Sequence, residues 1–214
     1  MERAGQIDQY GIGRDATHTK WRAMRYVRHR TQHTAGFTIV ELLIVIAVTG
    51  LIGAAMVELF ISYDSTVTLH RAAIETDTSA TMLANELRDM TLQANAIVAS
   101  HSFSGATLST GTTSLVLSLP AISSSGSVIN GAYDYIGFYA SGTTAYRLVD
   151  ANGSSARASG SKQLSKTLSS MTFSYPAANV TQATSTTFTI ITSMTVRGKT
   201  AEVQLSESVY LRNI

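Results

Sequence analysis

Residues 37–57, FTIVELLIVIAVTGLIGAAMV, form an apolar run of 21 residues in which Glu41 is the only charge. As a helix such a run spans about 31 Å, close to the ~30 Å hydrocarbon core of a bilayer. No other feature restricts the fold as strongly, because a segment this long and apolar has to be placed in lipid or deep inside protein. Charge content supports lipid: charged residues are 14% of the 214-residue chain, against roughly a quarter in soluble domains. The charge is also unevenly placed. Residues 1–36 hold seven basic side chains (Arg3, Arg14, Lys20, Arg22, Arg25, Arg28, Arg30) against three acidic ones (Glu2, Asp8, Asp15), so the overall charge of +2 conceals a basic head and a net acidic remainder. Positive charge beside a membrane helix stays cytoplasmic. This places WRAMRYVRHR, residues 21–30, inside the cell and everything after Glu58 outside. A secretory signal peptide fits poorly, since its apolar core is about 7–15 residues and ends at a small-residue cleavage site.

A carboxylate inside a membrane helix costs about 2.5–3.5 kcal/mol at the bilayer centre and less near the interface, so Glu41 calls for a partner. The stretch GFTIVELLIVIAVTGLIGA, starting at Gly36, resembles the N-terminal signal of type IV pilins and type II secretion pseudopilins. That resemblance implies cleavage after Gly36 by a membrane-embedded prepilin peptidase and N-methylation of the new N-terminus, Phe37. It also implies a filament-assembly role for Glu41, fifth residue of the mature chain, as the acidic partner of a neighbouring subunit's Phe37 amine. The implied partners are other pilin or pseudopilin subunits, the prepilin peptidase and an assembly platform with its cytoplasmic ATPase. The implied fold is α+β, a long N-terminal helix packed on a mostly antiparallel β-sheet.

Four segments are expected. Residues 1–36 are a basic leader removed on maturation, 37–58 a transmembrane and assembly helix, 59–100 its amphipathic continuation, and 101–214 a Ser/Thr-rich antiparallel β domain. Within the first helix, Gly50 and Gly53 each cost about 1 kcal/mol relative to alanine. They admit three readings: close helix contact together with Ala54, local helix loosening, or the ordinary glycine frequency of membrane helices. Ala73, Thr76, Ala80, Leu83, Leu87, Met90, Ala94 and Ile97 recur in steps of three and four residues, one mostly apolar stripe on a helix. ISYDS, residues 61–65, is a candidate interruption. Uninterrupted, the helix would run to Ser100.

Beyond His101 the pattern changes. SLVLSLP alternates Leu115, Leu117 and Leu119, the period of a half-buried strand. YDYIGFYA and AYRLVD flank an SGTT turn, LSSMTFSY gives a further strand, and a last hairpin turns at Gly198. Five to seven strands are expected, with AISSSGSVINGA and DANGSSARASGSK as exposed loops. The order of these segments is similar to J-type minor pseudopilins and W-type minor pilins, which implies a low-abundance subunit at the filament tip or in initiation.

Enzyme motifs are lacking: the sequence contains no G-x-S-x-G and no phosphate-binding G-x-x-x-x-G-K-[ST] loop. There are no cysteines, hence no disulfide framework or thiolate metal site, and no cofactor or metal is implied. Only His70 and His101 follow the expected cut. The Arg- and aromatic-containing leader is better explained by topology and anionic lipid than by nucleic acid. Met24 offers a second possible start, thirteen residues from Gly36 inclusive. Asn152-Gly-Ser and Asn179-Val-Thr match the short glycosylation acceptor pattern. The reading is therefore a structural, non-enzymatic minor filament subunit. The alternative is a single-pass membrane-anchored β-domain protein that binds a ligand and does not polymerise.

Overall fold

The structure, a computed structural model, describes residues 36–212. The basic leader, with Met24, lies outside the described residues. In chain order the elements are helix α1 (Ile39–Gln93), strands β1 (Ala96–Ile97), β2 (Ser100–Phe103), β3 (Ala106–Ser109), β4 (Ser114–Ile122), β5 (Val128–Ser141), β6 (Thr144–Asp150), β7 (Gly160–Ser165) and β8 (Leu168–Ser174), a short 3-10 turn at Val180–Gln182, and strands β9 (Ser185–Val196) and β10 (Lys199–Tyr210). The chain divides into two units, 1–49 and 50–214.

The fold is α+β. In the second unit the helix packs by Leu83, Ala84 and Leu87 into a single core with Leu115, Leu117, Leu119, Ile136, Phe138, Phe188 and Ile190. Thr76, Ala80, Leu83 and Leu87 are buried as their helical spacing predicts, while Glu75, Asp77 and Asp89 stay exposed. Polar residues 61–65 do not interrupt the helix. One buried tie locks helix to sheet: the Thr192 hydroxyl donates to the Thr76 carbonyl at 2.9 Å. The Thr76 hydroxyl in turn donates to the carbonyls of Ala72 and Ala73.

The helix ends at Gln93, seven residues before the expected Ser100. Asn95 and Val98 donate their N–H groups to the carbonyls of Ser118 and Val116 at 3.0 and 2.9 Å. Sheet bonds to β4 replace helical ones there. Ala94 and Ile97 are still buried, but Ile97 reaches the core from β1 and not from a helix face.

Among the described residues, ten strands in three sheets replace the five to seven expected. The five-stranded sheet has the order β1-β4-β5-β6-β7, the three-stranded sheet β10-β9-β8, and β2-β3 form a separate hairpin. Every pairing is antiparallel. Strand β4 departs from the half-buried pattern, because Val116 and Ser118 are buried alongside Leu115, Leu117 and Leu119. The β2-β3 hairpin covers that second face. Its Phe103 and Leu108 lie where a Cβ on Gly137, the residue opposite Val116, would stand 2.8–2.9 Å from their side chains. A Gly137→Val substitution should therefore push the hairpin off the sheet and cost about 1–3 kcal/mol. The check is a thermal melt of the full chain, with hydrogen exchange over residues 100–109 rising first.

Of the two segments expected as exposed loops, DANGSSARASGSK is one over residues 151–159, whereas AISSSGSVINGA is largely taken into strands. Ala121 and Ile122 extend β4 and residues from Val128 onward belong to β5, leaving a turn at 123–127. The final hairpin turns at Arg197 and Gly198, with φ of 51° and 77°, between the paired Val196 and Lys199. Two consecutive positive φ values match the tight turn whose twist suits antiparallel strands. From that turn Arg197 reaches Asp64 on α1 at 2.6 Å.

Candidate processing and assembly site

Gly36, Phe37 and Thr38 precede the helix in non-helical backbone and are exposed, Phe37 by 79%. Among the described residues other than its chain neighbours, no atom lies within 4 Å of the place a Cβ would occupy on Gly36. Gly36 and Phe37, the residues of the expected cut, therefore lie exposed just before the apolar helix.

Thr38 and Glu41 close a reciprocal cap. The Thr38 N–H and hydroxyl donate to Glu41 Oε2 at 2.9 and 3.0 Å, and the Glu41 N–H donates to the Thr38 hydroxyl at 3.2 Å. The first helical bond, Leu42 N–H to the Thr38 carbonyl at 3.1 Å, follows. This is the threonine-x-x-glutamate capping box. It satisfies backbone donors that a helix start leaves free, and it gives the carboxylate a local partner. Its signal in the sequence is Thr38 three residues before Glu41. Both side-chain bonds fall on Oε2. Oε1 accepts none among the described residues, so the cap leaves one carboxylate oxygen for a cation.

Helix α1 is long and apolar enough to cross a membrane, and none of its most apolar stretch is buried. In the first unit, Ile39, Val40, Leu42, Leu43, Ile44, Val45, Ile46 and Val48 are all exposed. An unshielded face of this extent is stable only in lipid or against other helices.

Two histidines, His70 and His101, lie among the described residues. His70 is exposed. His101 Nε2 lies 2.8 Å from Asp150 Oδ2, and its ring stacks on Tyr135 at 3.9 Å between centroids and meets Phe103 edge-on. The pair pins β2 onto β6, and among the described residues no hydroxyl bonds to the imidazole. The two glycosylation-type asparagines are held in turns: Asn179 Oδ1 accepts from the Thr181 N–H, and Asn152 Oδ1 from the Ser154 N–H.

Residues 32–57 match the family model described as the prokaryotic N-terminal methylation motif. The match brackets Gly36, Phe37 and Glu41 and supports a type IV pilin-like class. That class is processed by prepilin peptidase, anchored in the membrane and structural in role. No curated protein and no solved structure matches the chain.

Proposed function

We propose that this chain is a minor pilin or pseudopilin. Prepilin peptidase removes residues 1–36 after Gly36, and the new amine of Phe37 is methylated. Residues 37–58 hold the mature subunit in the cytoplasmic membrane with its N-terminus inside, and the region after residue 58 lies outside. The assembly platform and its ATPase then extract it into a type IV pilus or type II secretion-like filament, at the tip or in initiation. The observation that carries this reading is the methylation motif laid directly on a membrane-length helix. That helix continues without a break into the β domain's core. Glu41 Oε1 is the acceptor for a neighbour's Phe37 amine. A charged pair costs much less in lipid than two separate charges.

Mass spectrometry of the protein from its native membrane tests the first step. The expected mature chain begins at Phe37 and carries added methyl mass on that residue. Gly36→Val, which puts a branched side chain at the scissile position, should leave full-length precursor as the dominant species. Recovery of unprocessed wild-type chain as the only form, in cells that make filaments, would remove the proposal.

A further inference from the structure

We infer that the turn between β9 and β10 is a membrane foot: Arg197 and Lys199 stand in the headgroup layer of the outer leaflet and donate to phospholipid phosphate. The inference rests on the reading of residues 37–58 as a membrane helix with the β domain outside. From Phe37 to Asp64 every residue is exposed, and shielding by the β domain starts at Ser65. The exposed stretch stays apolar beyond Val57, with Leu59, Phe60, Ile61 and Tyr63 exposed by 71%, 73%, 62% and 67%. After Tyr63 the next large apolar side chain exposed on α1 is Ile74. Lipid therefore gives way to protein at residues 63–65, and tyrosine is enriched at such membrane boundaries.

The turn is fixed at that boundary. Arg197 Nη2 lies 2.6 Å from Asp64 Oδ2, so the turn touches α1 one residue before shielding begins. Arg197 and Lys199 are exposed on either side of Gly198. Asp64 is seven residues past Val57, about 10 Å along the helix. The headgroup layer adds about 5–8 Å to each side of the hydrocarbon core. Long arginine and lysine stems bridge the remainder and keep the charged ends in the polar layer. Asp64 engages one guanidinium nitrogen of Arg197. The other N–H groups of Arg197 and the Lys199 ammonium have no partner among the described residues, and Glu58, six residues nearer the lipid, pairs with neither side chain. Lipid phosphate supplies strong acceptors for both.

The chain has no cysteine, so Gly50→Cys, Thr200→Cys and Ser125→Cys each place a single bimane fluorophore. Gly50 lies in the apolar run and Thr200 follows Lys199. Ser125 is in the β4–β5 turn, beyond Pro120, which Arg157 ties to Gln93 at the far end of α1. The full chain is placed in phosphatidylcholine nanodiscs that carry a nitroxide either on the headgroup or in the middle of the acyl chain. The headgroup nitroxide is expected to quench Thr200 about threefold more than Ser125, and the acyl nitroxide to quench Gly50. Lys199→Glu leaves Arg197 and Asp64 in place and should lower the Thr200 quenching about twofold, with the melting temperature and the Gly50 signal unchanged. Quenching at Gly50 with Thr200 no different from Ser125 would overturn the foot and leave the membrane helix standing. No quenching at Gly50 would overturn the membrane reading and the foot with it. Thr200 quenching that Lys199→Glu leaves unchanged would overturn the assignment of phosphate binding to this turn.

Discussion

Glu41→Gln is expected to reduce incorporation into filaments by at least tenfold while leaving membrane insertion and cleavage at Phe37 intact. The substitution separates the cap seen in the structure from the proposed pairing with a neighbour's amine. Glutamine serves in a capping box nearly as well as glutamate, so the bonds between Thr38 and residue 41 persist in kind. What disappears is the charge that would balance a neighbour's Phe37 amine. Thr38→Val does the reverse: it removes the hydroxyl of the cap, at about 1 kcal/mol, and leaves the carboxylate ionised. If pairing across subunits is what Glu41 provides, Thr38→Val enters filaments near the wild-type level and Glu41→Gln does not. Quantifying subunits in sheared filaments against the membrane pool decides it. The opposite ranking would mean that Glu41 matters for starting the helix and not for register between subunits.

Asp134→Ala should lower the stability of the β domain by about 3–5 kcal/mol, the cost of removing one partner from a buried ion pair. Asp134 is fully buried and accepts from the Asn152 N–H at 2.8 Å, the Ser155 hydroxyl at 2.7 Å and Arg157 Nη1 at 2.7 Å. Arg157 also donates to the Pro120 carbonyl at 2.7 Å and to Gln93 Oε1 at 3.2 Å. The carboxylate thus fastens the segment between β6 and β7 to β5, and through Arg157 to the end of α1. Its loss strands a guanidinium that is only 18% exposed. A fall in melting temperature on the order of 10 °C is expected for a domain of this size. The double substitution Asp134→Leu with Arg157→Met should recover part of it, because it leaves no unpaired charge. A drop of under about 1 kcal/mol for Asp134→Ala would show the pair to be a surface-like interaction.

The apolar helix and the helical stripe were legible in the sequence because their signals are local and periodic. Residues 37–57 are too long and too apolar to be anything but a membrane-length helix, and Thr76, Ala80, Leu83 and Leu87 declared their face by spacing. The threonine-x-x-glutamate cap was equally readable, since its partners are three residues apart. The end of α1 was not. Ala94 and Ile97 continue the helical period, and only the backbone groups of Val116 and Ser118 draw that segment into a sheet. The strand count was underestimated for a related reason: Ser- and Thr-rich strands such as β2 and β3 look like loops until a pairing partner fixes them.

Local order decides where this chain is apolar enough for lipid and where its match to the N-terminal methylation motif lies, because hydrophobicity and capping act over one or two helical turns. The tertiary structure alone decided that Arg157 and Asp134 meet across 23 residues of sequence and that Arg147 and Glu86 meet across 61. It also decided that Gly137 makes room for Phe103. Those contacts depend on strand register and on which helix face the sheet covers, and no short window of sequence carries that information.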